Sequence, residues 1–229
     1  MRISRGFGFL IATVLLYLGV PLMGWGLGHL EGFFSASQRF AYAVLVVVFG
    51  LAVGYQAIDA PEGIRGRRGQ EGKLVSRQTV VRIVLVIGLY AALFLLPFAD
   101  RRSVGVFADG QPGAWLGLVL IALGYGLVYW SGVLLGRQYS AEVTIQERHE
   151  LIMRGVYGYI RHPRYLGVIL LALGMSLLFR SWLGVLASLP LAGALLFRIR
   201  DEEELMQKEF GKEWEAYCRR TWRLIPFLF

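Results

Sequence analysis

The chain has 229 residues, 56% hydrophobic and 17% charged, with a formal net charge of +8 and a mean hydropathy of +0.54. That balance excludes an ordinary soluble domain, in which about a quarter of residues are charged. The apolar residues gather into runs, and about 20 helical residues cross a hydrocarbon core of about 30 Å. The expected class is therefore an all-α, polytopic membrane helix bundle of about six spans, its basic excess matched by anionic headgroups and no nucleic acid required.

The first run extends from Phe7 to about Leu27 and the second from Phe40 to about Ile58. Arg2 and Arg5 precede the first, as in a secretory signal, but no small-x-small cleavage site comes after it, so it reads as a retained helix. The third run is Val80 to Phe98 and the fourth Ala114 to Leu135. The last two, Leu166 to Phe179 and Trp182 to Phe197, are shorter and parted only by Arg180-Ser181, which predicts a tight helical hairpin that need not reach the far leaflet. Gly113, Gly117, Gly132 and Gly136 fall at the small-xxx-small spacing that lets helix backbones approach, within the chain or in a homodimer.

Twenty of the 24 Lys and Arg residues fall on one side of this threading, and only Arg39, Arg101, Arg102 and Arg180 on the other. The bias predicts a multi-pass protein of the cell membrane with both termini cytoplasmic. The lone Cys218 fits that side and can form no internal disulfide. His29, His149 and His162 have no metal-ligand spacing, so no metal is expected.

Three polar regions share the predicted cytoplasmic face. The loop 61–72 interleaves glycines with arginines, but no strand precedes it and it matches no nucleotide fingerprint, so it reads as a lipid-hugging linker. The second region is Gly155-Val-Tyr-Gly-Tyr-Ile-Arg-His-Pro-Arg-Tyr-Leu-Gly167. Pro163 suits the first position of a helix, whose free amides, with Arg161, His162 and Arg164 around them, should attract a carboxylate or phosphate. The alternative is interfacial anchoring by the arginines, with Tyr157, Tyr159 and Tyr165 as an aromatic belt. The third region is Arg198-Ile-Arg-Asp-Glu-Glu-Glu204. Arg198 and Glu202 stand four apart on one helical face, which permits a simple salt bridge or a functional pair at the membrane edge. Beyond it, Met206, Phe210, Trp214 and Tyr217 mark an amphipathic helix that lies on the membrane or caps the core.

Taken jointly, these segments resemble the membrane methyltransferases that include isoprenylcysteine carboxyl methyltransferase and the phospholipid methyltransferases. The residues that carry the resemblance are His149-x-Leu151, Gly155-Val-Tyr-x-x-Ile-Arg-His-Pro-x-Tyr-x-Gly167, Arg198-x-x-x-Glu202-Glu203, Phe210-Gly211, Tyr217 and Ile225-Pro226, about 80 residues in all. The resemblance implies S-adenosylmethionine (SAM) as cofactor, surrounded by His149, Glu150, Leu151, Ile152, Tyr157, His162, Pro163, Arg164, Tyr165 and Glu202, with Arg198 on the acceptor side. It implies a division into residues 1–136, scaffold and acceptor pocket, and residues 137–229, the SAM-binding core.

The residue chemistry is compatible with those roles. The helix N-terminus suits the carboxylate of SAM, Glu202 its ammonium or ribose diol, and the tyrosines its adenine or sulfonium. A carboxylate acceptor could rest against Arg198 without a general base, whereas an amine would need one, from His162 or Glu202. The acceptor is expected to be lipophilic or lipidated and to enter from the bilayer, against Tyr125, Tyr129 and Trp130. A weaker resemblance, through the Arg-His-Pro-x-Tyr-Leu-Gly turn and residues 200–226, is to the NADPH-dependent sterol reductases. There Val168 replaces the acid usual after the turn. A non-enzymatic lipid-binding or assembly bundle is the third reading.

Overall fold

A computed structural model describes residues 2–59, 72–107, 111–136 and 151–228. The loop 61–71, His149 and Glu150 lie outside the described residues. Those described form helices and turns without a strand, apart from two isolated bridges.

The first span is one rod of two helices, α1 (Arg2–Val14) and α2 (Val20–Trp25), joined by a π-helical turn over Leu15–Gly19. The widened turn disturbs the regular backbone ladder, and the carbonyl of Tyr17 accepts the hydroxyl of the fully buried Tyr42. The rod ends at Gly26, whose φ of 108° suits a residue without a Cβ. A short α3 (Leu30–Phe34) leads into α4 (Ser37–Asp59), and α5 (Gly72–Arg101) carries the third apolar run. The fourth and fifth runs form α6 (Gln111–Leu135) and α7 (Pro163–Leu178).

The sixth run departs from expectation, because α8 (Trp182–Phe210) passes Phe197 without a break. Arg198 to Glu209 are mostly strong helix formers, and nothing stops the rod until Gly211 turns at φ 49°. The stripe Met206, Phe210, Trp214 and Tyr217 therefore belongs to two helices, the end of α8 and α9 (Lys212–Cys218). It caps the core: Trp214 and Tyr217 are buried.

Four of these rods are long and apolar enough to cross a membrane: Ile3–Trp25, Ser37–Ile58, Gln111–Leu135 and Trp182–Phe210. The 16-residue α7 rises about 24 Å, short of a full hydrocarbon core. It pairs antiparallel with α8 through a turn at Arg180 and Ser181, where the Ser181 hydroxyl accepts the Gly184 amide at 3.0 Å. A cap of this kind is worth about 1 kcal/mol.

Helix α6 packs along α7, α1 on α4 and α2 on α5. The α6–α7 seam is glycine on glycine: a Cβ on Gly117 would lie 2.6 Å from the Gly174 carbonyl oxygen, and one on Gly124 would lie 2.8 Å from that of Gly167. Gly117 thus serves contact inside the chain, and the spacing that suggested a homodimer has an internal use. Phe33, Tyr42, Val46, Ile121 and Phe179 form the buried centre. Tyr125, an expected wall of an acceptor channel, stacks on Phe49 at 4.1 Å within that centre and is only 3% exposed. Its ring fills the core.

The four minority-side arginines gather at one end. Asp100, at the end of α5, holds Arg39 at 3.3 Å and Arg180 at 2.7 Å. Arg101 donates to the Trp25 carbonyl at 2.6 Å, and Arg102 lies over the Phe98 ring. The opposite end of the antiparallel α7–α8 pair carries the polar site.

Candidate functional site

Pro163 begins α7, with His162 as the residue that turns the chain into it. Ahead of it, a single 3-10 turn, Gly155–Gly158, buries Val156 and Tyr157. Residues 159–162 are then fixed by backbone pairing to a segment about 60 residues away. The amide of Arg161 donates to the Trp222 carbonyl at 2.8 Å, that of His162 to the Arg223 carbonyl at 3.1 Å, and that of Trp222 to the Tyr159 carbonyl at 2.9 Å.

Because α7 and α8 are antiparallel, the start of one meets the charged end of the other. The Tyr165 hydroxyl donates to Glu202 Oε2 at 2.8 Å and accepts Arg198 Nε at 2.9 Å. The expected Arg198–Glu202 pair is therefore joined through a tyrosine. His162 stacks on Tyr165, with ring centroids 5.7 Å apart, and its Nδ1 stands 3.8 Å from Glu202. His162 and Arg198 are 7% and 8% exposed, so these groups lie inside the protein end instead of anchoring in headgroups.

Glu203, one residue further, faces the other way and closes a second cluster. Its Oε1 accepts Arg161 Nε at 3.1 Å and lies 3.2 Å from His162 Nε2, while Oε2 meets Arg223 at 2.6 Å. Arg161 also donates to the carbonyls of Cys218 and Thr221. The Tyr217 hydroxyl donates to the Tyr157 carbonyl at 2.7 Å. Adjacent acids thus divide the work: Glu202 faces Tyr165, and Glu203 clamps the turn to the C-terminal segment.

Burial pushes the Tyr157 hydroxyl well above its ordinary range, with the Glu202 charge adding to it. The group stays protonated and able to donate. Burial likewise raises Tyr217 and the Cys218 thiol, which leaves that cysteine a poor nucleophile.

The expected residues Tyr157, His162, Pro163, Arg164, Tyr165, Arg198 and Glu202 come together at this end, and Leu151 and Ile152 are half-buried. Arg223, Thr221 and the clamp role of Glu203 escape a reading of the sequence. Their only signal is the adjacency of Glu203 to Glu202 and the Trp222-Arg-Leu-Ile-Pro226 run. Among the described residues no group of three or more His, Cys, Asp and Glu side chains could hold a metal.

Residues 115–208 match the isoprenylcysteine carboxyl methyltransferase (ICMT) family. The probable protein-S-isoprenylcysteine O-methyltransferase of Oryza sativa subsp. indica is 30% identical over 118 residues, 50% of this chain and 62% of that protein's length. An uncharacterized Bacillus subtilis protein, YpbQ, is 33% identical over 119 residues, 51% of this chain and 71% of that protein. A shorter likeness, 35% over 88 residues, is to the Delta(14)-sterol reductase TM7SF2 of Mus musculus, of whose length it covers 20%. The solved structure of a eukaryotic intramembrane Ras methyltransferase, ICMT, superposes with a TM-score of 0.51 over 99% of this chain and 98% of that one, at 17% identity, and shares the fold. The paired ends of α7 and α8 lie within residues 115–208, the part of the chain that matches the isoprenylcysteine carboxyl methyltransferase family.

Proposed function

We propose that the protein transfers a methyl group from SAM to the carboxylate of a lipophilic, isoprenylcysteine-like acceptor, with both held at the polar, cytoplasmic end of the bundle. The observation that carries this is the Tyr165 hydroxyl, fixed between Arg198 and Glu202 beside the start of α7. A purely structural end of a helix pair has no need of a half-exposed acid there, and the Glu202 side chain keeps 29% of its exposure.

The residues fit SAM. The start of α7 offers amides that hydrogen-bond to no preceding turn, suited to its carboxylate. Glu202 suits the ammonium or the diol, and the Tyr157 and Tyr165 rings suit the adenine or the sulfonium. When bound, SAM supplies an electrophilic methyl group whose departure from sulfur removes a positive charge. His162, Pro163 and Arg164 form the entry to α7 over which it would lie, with Leu151 and Ile152 beside it and His149 and Glu150 assigned with them by resemblance.

The work left to the protein is alignment and the exclusion of water. Arg198 supplies positive charge on the acceptor side, its guanidinium direction set by Tyr165. A carboxylate oxygen is already a nucleophile, so no side chain has to remove a proton. This agrees with His162, whose two ring nitrogens face Glu202 and Glu203.

The likeness to a sterol reductase gives a second reading, in which NADPH takes the same turn. Thermal unfolding of the detergent-purified protein with SAM, its demethylated product or NADPH separates the two. A ligand at 100 times its Kd stabilises the native state by about 2.7 kcal/mol. The expected result is a raised Tm with SAM and its product that Glu202→Gln loses. A shift with NADPH alone would transfer the chain's function to the reductases.

A further inference from the structure

The exposed apolar side chains of this bundle fall into two sets. Most lie on the long apolar helices, where lipid accounts for them. Trp222, Ile225, Phe227 and Leu228 do not: they follow α9, and Phe227 and Leu228 are 86% and 79% exposed. Tyr159, whose carbonyl accepts the Trp222 amide, is itself 72% exposed. The segment has two faces. Thr221 and Leu224 are buried, and the carbonyls of Cys218, Thr221, Trp222 and Arg223 hold the Arg161 side chain and the amides of Arg161 and His162. Trp222 and Ile225 stand outward, and the Trp222 ring meets that of Phe227 at 5.6 Å.

Positive charge falls on the same stretch. Residues 219–228 hold three arginines and no acid, and Arg219 and Arg220 are exposed. Depth selects the partner. Helix α7 begins at Pro163, three residues after the Ile160–Trp222 bridge, and its rise of about 24 Å is less than the hydrocarbon core of about 30 Å. Its far end adjoins the Asp100 cluster through Arg180. The start of α7 therefore lies no further out than the headgroups, and the segment paired just ahead of it lies among them. Arginines interleaved with tryptophan and phenylalanine at that depth match an anionic lipid surface.

We infer that residues 219–228 dock on the anionic headgroups of the leaflet at the site's end of the bundle, the four apolar side chains entering between lipids and Arg219 and Arg220 meeting the phosphates. The same segment supplies the carbonyls that fix Arg161 and His162. Docking therefore braces the turn ahead of α7, and the charge of the leaflet regulates how firmly the site is held. The inference is independent of which cofactor the turn binds.

The test places the full chain in nanodiscs of phosphatidylcholine, alone or mixed with phosphatidylglycerol, and reads amide exchange by mass spectrometry. With phosphatidylglycerol, the amides of residues 224–228 and those of Arg161 and His162 should exchange more slowly, and high salt should narrow the difference. Each arginine at an anionic surface contributes about fivefold to such an equilibrium. The double variant Arg219→Gln, Arg220→Gln should thus lose about 25-fold of the added protection, with exchange in α6 unchanged as the sign that it is folded. Phe227→Ser with Leu228→Ser should lose the protection while keeping every arginine. Equal exchange in the two nanodiscs overturns the inference and leaves this face to a protein partner. Protection by phosphatidylglycerol that the arginine variant keeps in full also overturns it, and protection that stops short of Arg161 and His162 overturns the bracing of the turn.

Discussion

Replacing Glu203 by Gln should cost far more stability than its single missing charge suggests. The carboxylate side chain is 11% exposed and receives Arg161 at 3.1 Å, His162 at 3.2 Å and Arg223 at 2.6 Å. An amide keeps the volume, but its nitrogen would point a donor at groups that themselves donate. Removing one partner of a buried ion pair costs about 3 to 5 kcal/mol. Arg223 is 31% exposed and can be rehydrated, so the low end, about 3 kcal/mol, applies. For a chain of this size that is a fall of about 6 to 12 °C in Tm, read by tryptophan fluorescence in detergent. Glu202→Gln, whose oxygen still accepts from Tyr165, should lose only about 1 kcal/mol. The double variant Glu203→Gln, Arg223→Met should recover at least about 1 kcal/mol of the Glu203 loss, because the orphaned guanidinium is gone. A Glu203→Gln protein melting within about 2 °C of wild type, or strict additivity with Arg223→Met, would refute the clamp.

The packing gives further expectations. Gly117→Val should cost about 1 to 3 kcal/mol by forcing α6 from α7, while Gly126→Ala, with nothing within 4 Å of its Cβ position, should melt as wild type. Asp100→Leu strands Arg39 and Arg180 at the end remote from the site, and should lower stability by about 3 kcal/mol yet leave the Tm rise expected with SAM under the proposed function intact. Tyr217→Phe removes a buried hydrogen bond to the Tyr157 carbonyl. About 1 to 2 kcal/mol should be lost, measured in the same melting experiment.

The spans were legible because hydrocarbon thickness converts directly into residues, and the apolar runs Phe40–Ile58 and Ala114–Leu135 come within a few residues of α4 and α6. The convergence of His162, Tyr165, Arg198 and Glu202 was legible too, since two short apolar runs joined by Arg180-Ser181 can only return the chain to its starting end. Three features were hidden for physical reasons. The π-helical turn at Leu15–Gly19 alters the register of backbone bonds and leaves no mark on composition. The length of α8 depends on the helix propensity of the residues beyond Phe197, and charge ends an apolar run without ending a helix. Glycine spacing reports that a close approach is possible but not what approaches: Gly117 meets a backbone, whereas Gly132 meets Arg164 and Gln56. The pairing of residues 159–162 with 222–223 uses peptide groups, which every residue carries.

That last pairing also orders events in time. A chain inserted as far as α7 and α8 has His162 and Glu202 present, but the amides of Arg161 and His162 still lack the carbonyls of Trp222 and Arg223. The turn therefore sets last, after residue 223 has been made and has folded back. Its amide protons should exchange with solvent on the timescale of that fold-back and not of global unfolding. Slow exchange at Arg161, His162 and Trp222 would then serve as a clock for the moment the site becomes whole.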